Sequence, residues 1–218
     1  MKRTERHHLK EDEIRTGLSR FVHFVKTWQR EISISAAVLA GVVLIVAALF
    51  ALKAHQTRVQ SRIAGEILSL AAGLDENPDN LAKLEESSGR GKFGRLGYLE
   101  LAKHWIAKGD LEKAGAYLDK FPKSPRDLIY YQAQDLKAQV AVHRKDFDTA
   151  VAIYRGIEND DPSVYPLDAA LFHLAEVYEL KGELQEAKDL YAKIQQEYTQ
   201  TYYGYEASVK TGRLDLGK

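Results

Sequence analysis

The sequence predicts an all-α chain: one N-terminal transmembrane helix followed by a solenoid of helical hairpins. Three observations carry this. Residues 32–52 run 21 positions without a charge. Beyond residue 53, apolar residues recur at spacings of three and four, the period of a helix buried on one face. A pair of small residues 12 positions apart recurs three times between 102 and 187.

The stretch ISISAAVLAGVVLIVAALFAL is long enough to cross a bilayer, roughly 30 Å at about 1.5 Å per residue. Twelve of its 21 residues are Leu, Ile, Val or Phe, which favour insertion. Ser33 and Ser35 are its only polar side chains, and a serine can bond back to the preceding turn. The apolar core of a signal peptide is about 7–15 residues long and starts early. This one starts after 31 residues, so an uncleaved signal anchor is the better reading. Ser33, Ala37 and Gly41 form a small-residue face that would let a partner's helix, or a second copy's, approach closely. Small residues are also simply common in membrane spans.

Composition narrows the function. The chain has no cysteine, which excludes disulfides and thiolate chemistry. Residues 1–31 carry eight Lys/Arg against five Asp/Glu, leaving 23 against 26 for residues 53–218. A slightly acidic soluble part speaks against nucleic acid, which selects a clustered basic face. The basic tail is expected on the cytoplasmic side. Residues 1–31 then form a cytoplasmic tail, 32–52 a single-pass transmembrane helix and 53–218 a domain outside the cytoplasm. In a bacterium that means the inner membrane and the periplasm.

Within the tail, residues 1–12 are charged and aperiodic, and are expected to be disordered. Ile14, Leu18, Phe21, Val22, Val25 and Trp28 then recur at helical spacing. This amphipathic segment either lies on anionic headgroups with Trp28 at the interface or simply leads into the anchor. After the anchor a helix over 55–73 carries Val59, Ile63, Ile67 and Leu70 on one face, and Asn77-Pro78 ends it. A short helix over 79–87 follows. Gly89-x-Gly91-x-x-Gly94 matches a dinucleotide-binding pattern by letters alone. That motif needs a strand before it and an acidic residue about 20 positions later on a second strand, so a flexible helix connector is expected instead. Arg90, Lys92 and Arg95 open the next helix, either as a solvated group or as an anion site.

The repeat comes next. Leu101-Ala102-x-x-Trp105, Lys137-Ala138-x-x-Ala141 and Leu174-Ala175-x-x-Tyr178 align, each followed 12 residues after its alanine by Ala114, Ala150 and Ala187. Leu118, Tyr154 and Tyr191 stand four residues further on. Two small residues at fixed distance from a turn let two helices of a hairpin approach, and the large residue fills the space beside them. Gly109 and Gly182 are placed to end the first helix in the left-handed conformation. The acidic residue after each turn suits the next helix dipole. Ser124-Pro125-x-Asp127 is expected to supply a serine cap before a proline at the first helical position.

These residues resemble the tetratricopeptide repeat, best at Leu174–Tyr191, with Leu171 where the usual Trp stands. Three units, a degenerate helix pair before them and a capping helix near 202–212 would cover about residues 60–212. The whole layout of basic tail, one anchor and a small helical-repeat domain is similar to the YfgM-like family. That resemblance implies an ancillary subunit of a SecYEG-type translocon, linked to periplasmic chaperones, with no catalytic residues. An envelope scaffold for cell division or outer-membrane assembly is the alternative.

The residues themselves offer no chemistry. The seven histidines show no metal-ligand spacing, and His104, His143 and His173 fall at different repeat positions, so they are not expected to converge. There is no nucleophile elbow and no phosphate-binding loop. Neither a cofactor, a metal nor an enzyme activity is expected. A protein-binding groove is. By repeat register it would be lined by Leu96, Leu99, Lys103 and Ile106, by Gln132, Asp135, Gln139 and Val142, and by Ala169, Phe172, Glu176 and Glu179. This mixture suits an extended peptide more than a small molecule. Tyr198, Tyr202, Tyr203 and Tyr205 cluster at the cap and read as packing more than as a contact patch.

Overall fold

The computed structural model describes residues 19–20, 23 and 26–216. The tail 1–12 and most of the amphipathic segment, with Ile14, Leu18, Phe21, Val22 and Val25, lie outside the described residues. All regular structure among the described residues is helical.

Helix α1 spans Gln29–Ala72 without the interruption expected after residue 52. Polarity changes there, but no helix breaker stands between Lys53 and Arg58, and the Thr57 hydroxyl donates back to the Lys53 carbonyl at 2.9 Å. The described large apolar side chains from Ile34 to Leu52 are each 45–70% exposed. An apolar helix that the other described residues leave uncovered is matched to lipid or to another helix. It is long and apolar enough to cross a membrane, a property that signal sequences share. The Ser33 hydroxyl bonds back to the Arg30 carbonyl at 2.8 Å, while Ala37 and Gly41 lie unopposed on the same helix.

The chain divides into two compact units, the second beginning at Val59. This second unit holds the end of α1 and then α2 (Asp79–Ser87), α3 (Gly91–Ala107), α4 (Leu111–Asp119), α5 (Leu128–His143), α6 (Phe147–Asp160), α7 (Leu167–Lys181), α8 (Leu184–Glu197) and α9 (Tyr202–Leu216). Helices α3–α4, α5–α6 and α7–α8 are the three hairpins, and each second helix also packs on the next first helix. Helix α9 closes the array against α7 and α8.

The hairpin alanines behave as their spacing requires. Ala102, Ala114, Ala138, Ala150, Ala175 and Ala187 are all fully buried, and Leu118, Tyr154 and Tyr191 are buried beside them. Gly109 and Gly182 turn left-handed at φ +78° and +84°. In the middle hairpin, where no glycine stands, Lys145 occupies the same conformation at φ +60°. Asp110 and Asp146 cap α4 and α6, accepting from Lys113 N at 3.0 Å and Thr149 N at 3.2 Å.

Two expectations are corrected here. Asp127, not Ser124, caps α5, accepting from Tyr130 N at 3.3 Å, because the helix begins at Leu128, three residues after the proline. The Gly89–Gly94 segment is a tight junction rather than a flexible connector. A Cβ on Gly94 would stand 2.8 Å from the Gly89 carbonyl carbon, so α3 can leave α2 this closely only with glycine there. Arg95 is buried within this junction. It donates to Asp127, and also to the Pro125 carbonyl at 3.1 Å.

Candidate functional site

The first helices of successive hairpins carry the residues expected to line a groove. Between α5 and α7 lies a cleft of about 120 Å³. Gln139, Val142 and His143 line it from α5, Tyr154 from α6, and His173, Glu176 and Leu180 from α7. Asp135 lies on α5 one turn before Gln139. It accepts from the Tyr154 hydroxyl at 2.8 Å and from Gln139 Nε2 at 2.9 Å. This double donation fixes the Tyr154 ring as the floor between the two helices. Burial, and then the Asp135 charge, push the Tyr154 and Tyr165 hydroxyls far above the ordinary phenol range.

His173 and Glu176 share one face of α7, with Nδ1 3.5 Å from Oε2. Burial alone would lower the His173 pKa. The hydrogen bond to Glu176 and the charges of Asp135 and Glu176 outweigh it, and the net shift is upward. Glu176 is lowered, first by His173 and then by Lys210 from α9. Lys210 Nζ stands 3.2 Å from Glu176 Oε1 and 3.0 Å from Glu179 Oε2, so the closing helix neutralises the acidic side of α7. Tyr203, also from α9, packs on Phe172 and His173 with ring centroids 5.2 and 5.8 Å apart.

The residues picked out by register divide into three groups. Asp135, Gln139, Val142, Glu176 and Glu179 gather on the α5–α7–α9 side and keep part of their surface open. Lys103 is exposed and pairs with Glu100 of its own helix at 2.8 Å, Gln132 is exposed, and Ile106 and Leu96 are half-buried against apolar clusters. Leu99, Ala169 and Phe172 are buried and offer no surface to a partner. Residues Tyr165, His173, Tyr203 and Lys210 were not singled out by register; Tyr165 comes from a loop and Tyr203 and Lys210 from the cap, and these three therefore have no repeat position. His143 and His173 line one cleft after all, because α5 and α7 bring different register positions side by side. Among the described residues no group of His, Asp or Glu could hold a metal ion. At the cap, Tyr203 and Tyr198 pack inward, whereas Tyr202 and Tyr205 are 68% and 66% exposed.

Residues 169–201, which span α7 and α8, match the tetratricopeptide repeat family. Helices α7 and α8 form a tetratricopeptide repeat. The array around this repeat has the same architecture: it is similar to two crystal structures of nearly identical TPR-like repeats from a candidate kinesin light chain of Podosopora anserina, one of them a single-substitution variant. Each is 17% identical with a TM-score of 0.57, covering 71% of this chain and 85% or 86% of the other. At that identity the likeness is one of fold. No curated protein matches the chain. Tetratricopeptide repeats serve protein–protein interaction, and the open inner face of α5 and α7 is the surface such an array presents.

Proposed function

We propose that this chain is a membrane-anchored adaptor that binds an extended segment of another protein in the tetratricopeptide groove. The observation that carries this reading is the inner face of α5 and α7. There a cleft of about 120 Å³ opens beside Val142, Gln139 and Glu176, with Leu180 58% exposed at its edge. A cleft of this size takes one side chain of a client, and the flanking amide and carboxylate groups can bond its backbone. The apolar stretch of α1 supplies the anchor, with the N-terminus on the cytoplasmic side and the repeats in the bacterial periplasm.

On this reading the partner is a SecYEG-type translocon, and the groove passes emerging proteins to periplasmic chaperones. The support is the layout: a basic tail, one apolar span and a helical-repeat array directly after it. The reading assigns the chain no catalysis. A photo-crosslinking side chain at Val142, Gln139 or Glu176 in living cells, followed by identification of the captured protein, tests it. Capture of translocon components or chaperones is expected. Capture only of division or outer-membrane assembly proteins would replace this reading with that of an envelope scaffold, and no capture from any groove position would sink it.

A further inference from the structure

A second cleft, of about 300 Å³, lies between the start of α3 and the segment joining α4 to α5. That volume is at the low end for small-ligand sites. Lys92, Arg95, Tyr98, Lys120 and Ser124 line it together with Gly89, and none of its lining residues is acidic. Among the described residues neither lysine has an ion-pair partner; Lys92 Nζ is 5.7 Å from the Phe93 ring and Lys120 Nζ 5.0 Å from the Tyr117 ring. Among the described residues the Tyr98 and Ser124 hydroxyls have no hydrogen-bond partner. Gly89 keeps Tyr98 in place, since a Cβ there would stand 2.8 Å from its hydroxyl. The Arg95 side chain is 4% exposed, and its Nε is buried without an acceptor. The first amides of α3 are already taken, Lys92 N donating to Gln60 Oε1 at 2.8 Å. The helix end is therefore not what makes this cleft a site.

We propose that this cleft binds a phosphate group. Two lysines without an ion-pair partner and two residues with idle hydroxyls line one small cleft with no acidic neighbour in its lining, beside the buried Arg95, whose charge Asp127 balances. The donor types select the anion. Planar, forked recognition of a carboxylate is the work of a guanidinium, and both Nη atoms of Arg95 are committed to Asp127 and to the Pro125 carbonyl. What remains are point charges and hydroxyls. These suit a tetrahedral oxyanion that offers acceptors in several directions.

The test is calorimetric titration of inorganic phosphate into the full chain in non-ionic detergent, at ionic strength held constant with chloride. Saturable binding is expected. Lys92→Gln and Lys120→Gln should each weaken it about tenfold, the loss of one charge-assisted hydrogen bond. Tyr98→Phe should weaken it severalfold, a change that general surface charge would not produce. All three leave the core untouched, and retained thermal unfolding verifies that they fold. Absence of binding beyond the chloride control overturns the proposal, as does unchanged affinity in the double lysine variant. Competition then identifies the source. Displacement by glycerol phosphate marks a soluble ester, displacement by phosphatidic acid micelles alone marks a lipid headgroup, and displacement by neither marks the free ion.

Discussion

Arg95 of α3 and Asp127 at the start of α5 are joined in an ion pair in which the guanidinium is buried and the carboxylate has a second task. Asp127 Oδ2 takes the Arg95 charge while Oδ1 accepts from Tyr130 N at 3.3 Å, capping α5. One side chain thus joins two successive hairpins and starts a helix. Asp127→Ala removes both functions and strands a buried cation. It is expected to destabilise the chain by about 2–4 kcal/mol, measured by urea unfolding. Adding Arg95→Met should recover part of that loss. If the double variant is no more stable than the single one, the ion pair is not what Asp127 contributes.

The α2–α3 junction makes a second prediction. Alanine is normally the better helix residue by about 1 kcal/mol. At Gly94, however, a Cβ would stand 2.8 and 2.9 Å from Gly89 backbone atoms, which cannot move cheaply. Gly94→Ala should therefore destabilise by about 1–3 kcal/mol despite its helical propensity. The control is Gly156→Ala in α6, where nothing lies within 4 Å and a gain is expected.

The middle hairpin carries an unrelieved left-handed residue. Lys145 has φ +60° where its two counterparts are glycines. Lys145→Gly should stabilise the chain by about 0.5–1 kcal/mol, the relief of the Cβ clash less the added freedom of the unfolded chain. Gly109→Ala and Gly182→Ala should each act in the opposite direction. A thermal melt of the three variants decides this.

His173 gives the stability of the fold a pH dependence. Its folded pKa lies above the ordinary imidazole value because Glu176 and Asp135 favour the charged ring more than burial disfavours it. Its stabilising contribution is therefore complete below that ordinary value, and it is lost as the pH rises through the folded pKa. Stability measured between about pH 5 and 8 should fall with rising pH more steeply in the parent chain than in His173→Gln. Equal slopes would show that the imidazolium does not contribute.

Much of the fold was legible because its determinants are local. The alanines at 102, 114, 138, 150, 175 and 187 repeat at a spacing set only by helix and turn geometry, and all six are buried. The capping aspartates after two of the turns, and the glycines within two of them, act on their own backbone. The groove was legible only in part. Register placed Gln139, Val142 and Glu176 at the open face, but it also placed Leu99 and Phe172 there, and both are buried. A helical wheel gives the direction of a side chain from its own axis. It does not say how far the neighbouring helix covers it.

The sequence by itself determined which segments are helical, where the three hairpins turn, and which 21-residue stretch has no charge to keep it in water. These follow from spacing, from backbone conformational preference and from the transfer energy of side chains. Only the tertiary structure decided that Arg95 lies inside the protein, that His143 and His173 meet in one cleft, and that Lys210 of the last helix answers Glu176 and Glu179. Each of these joins residues about 30 or more positions apart. Their meeting depends on helix lengths and packing that no local pattern encodes.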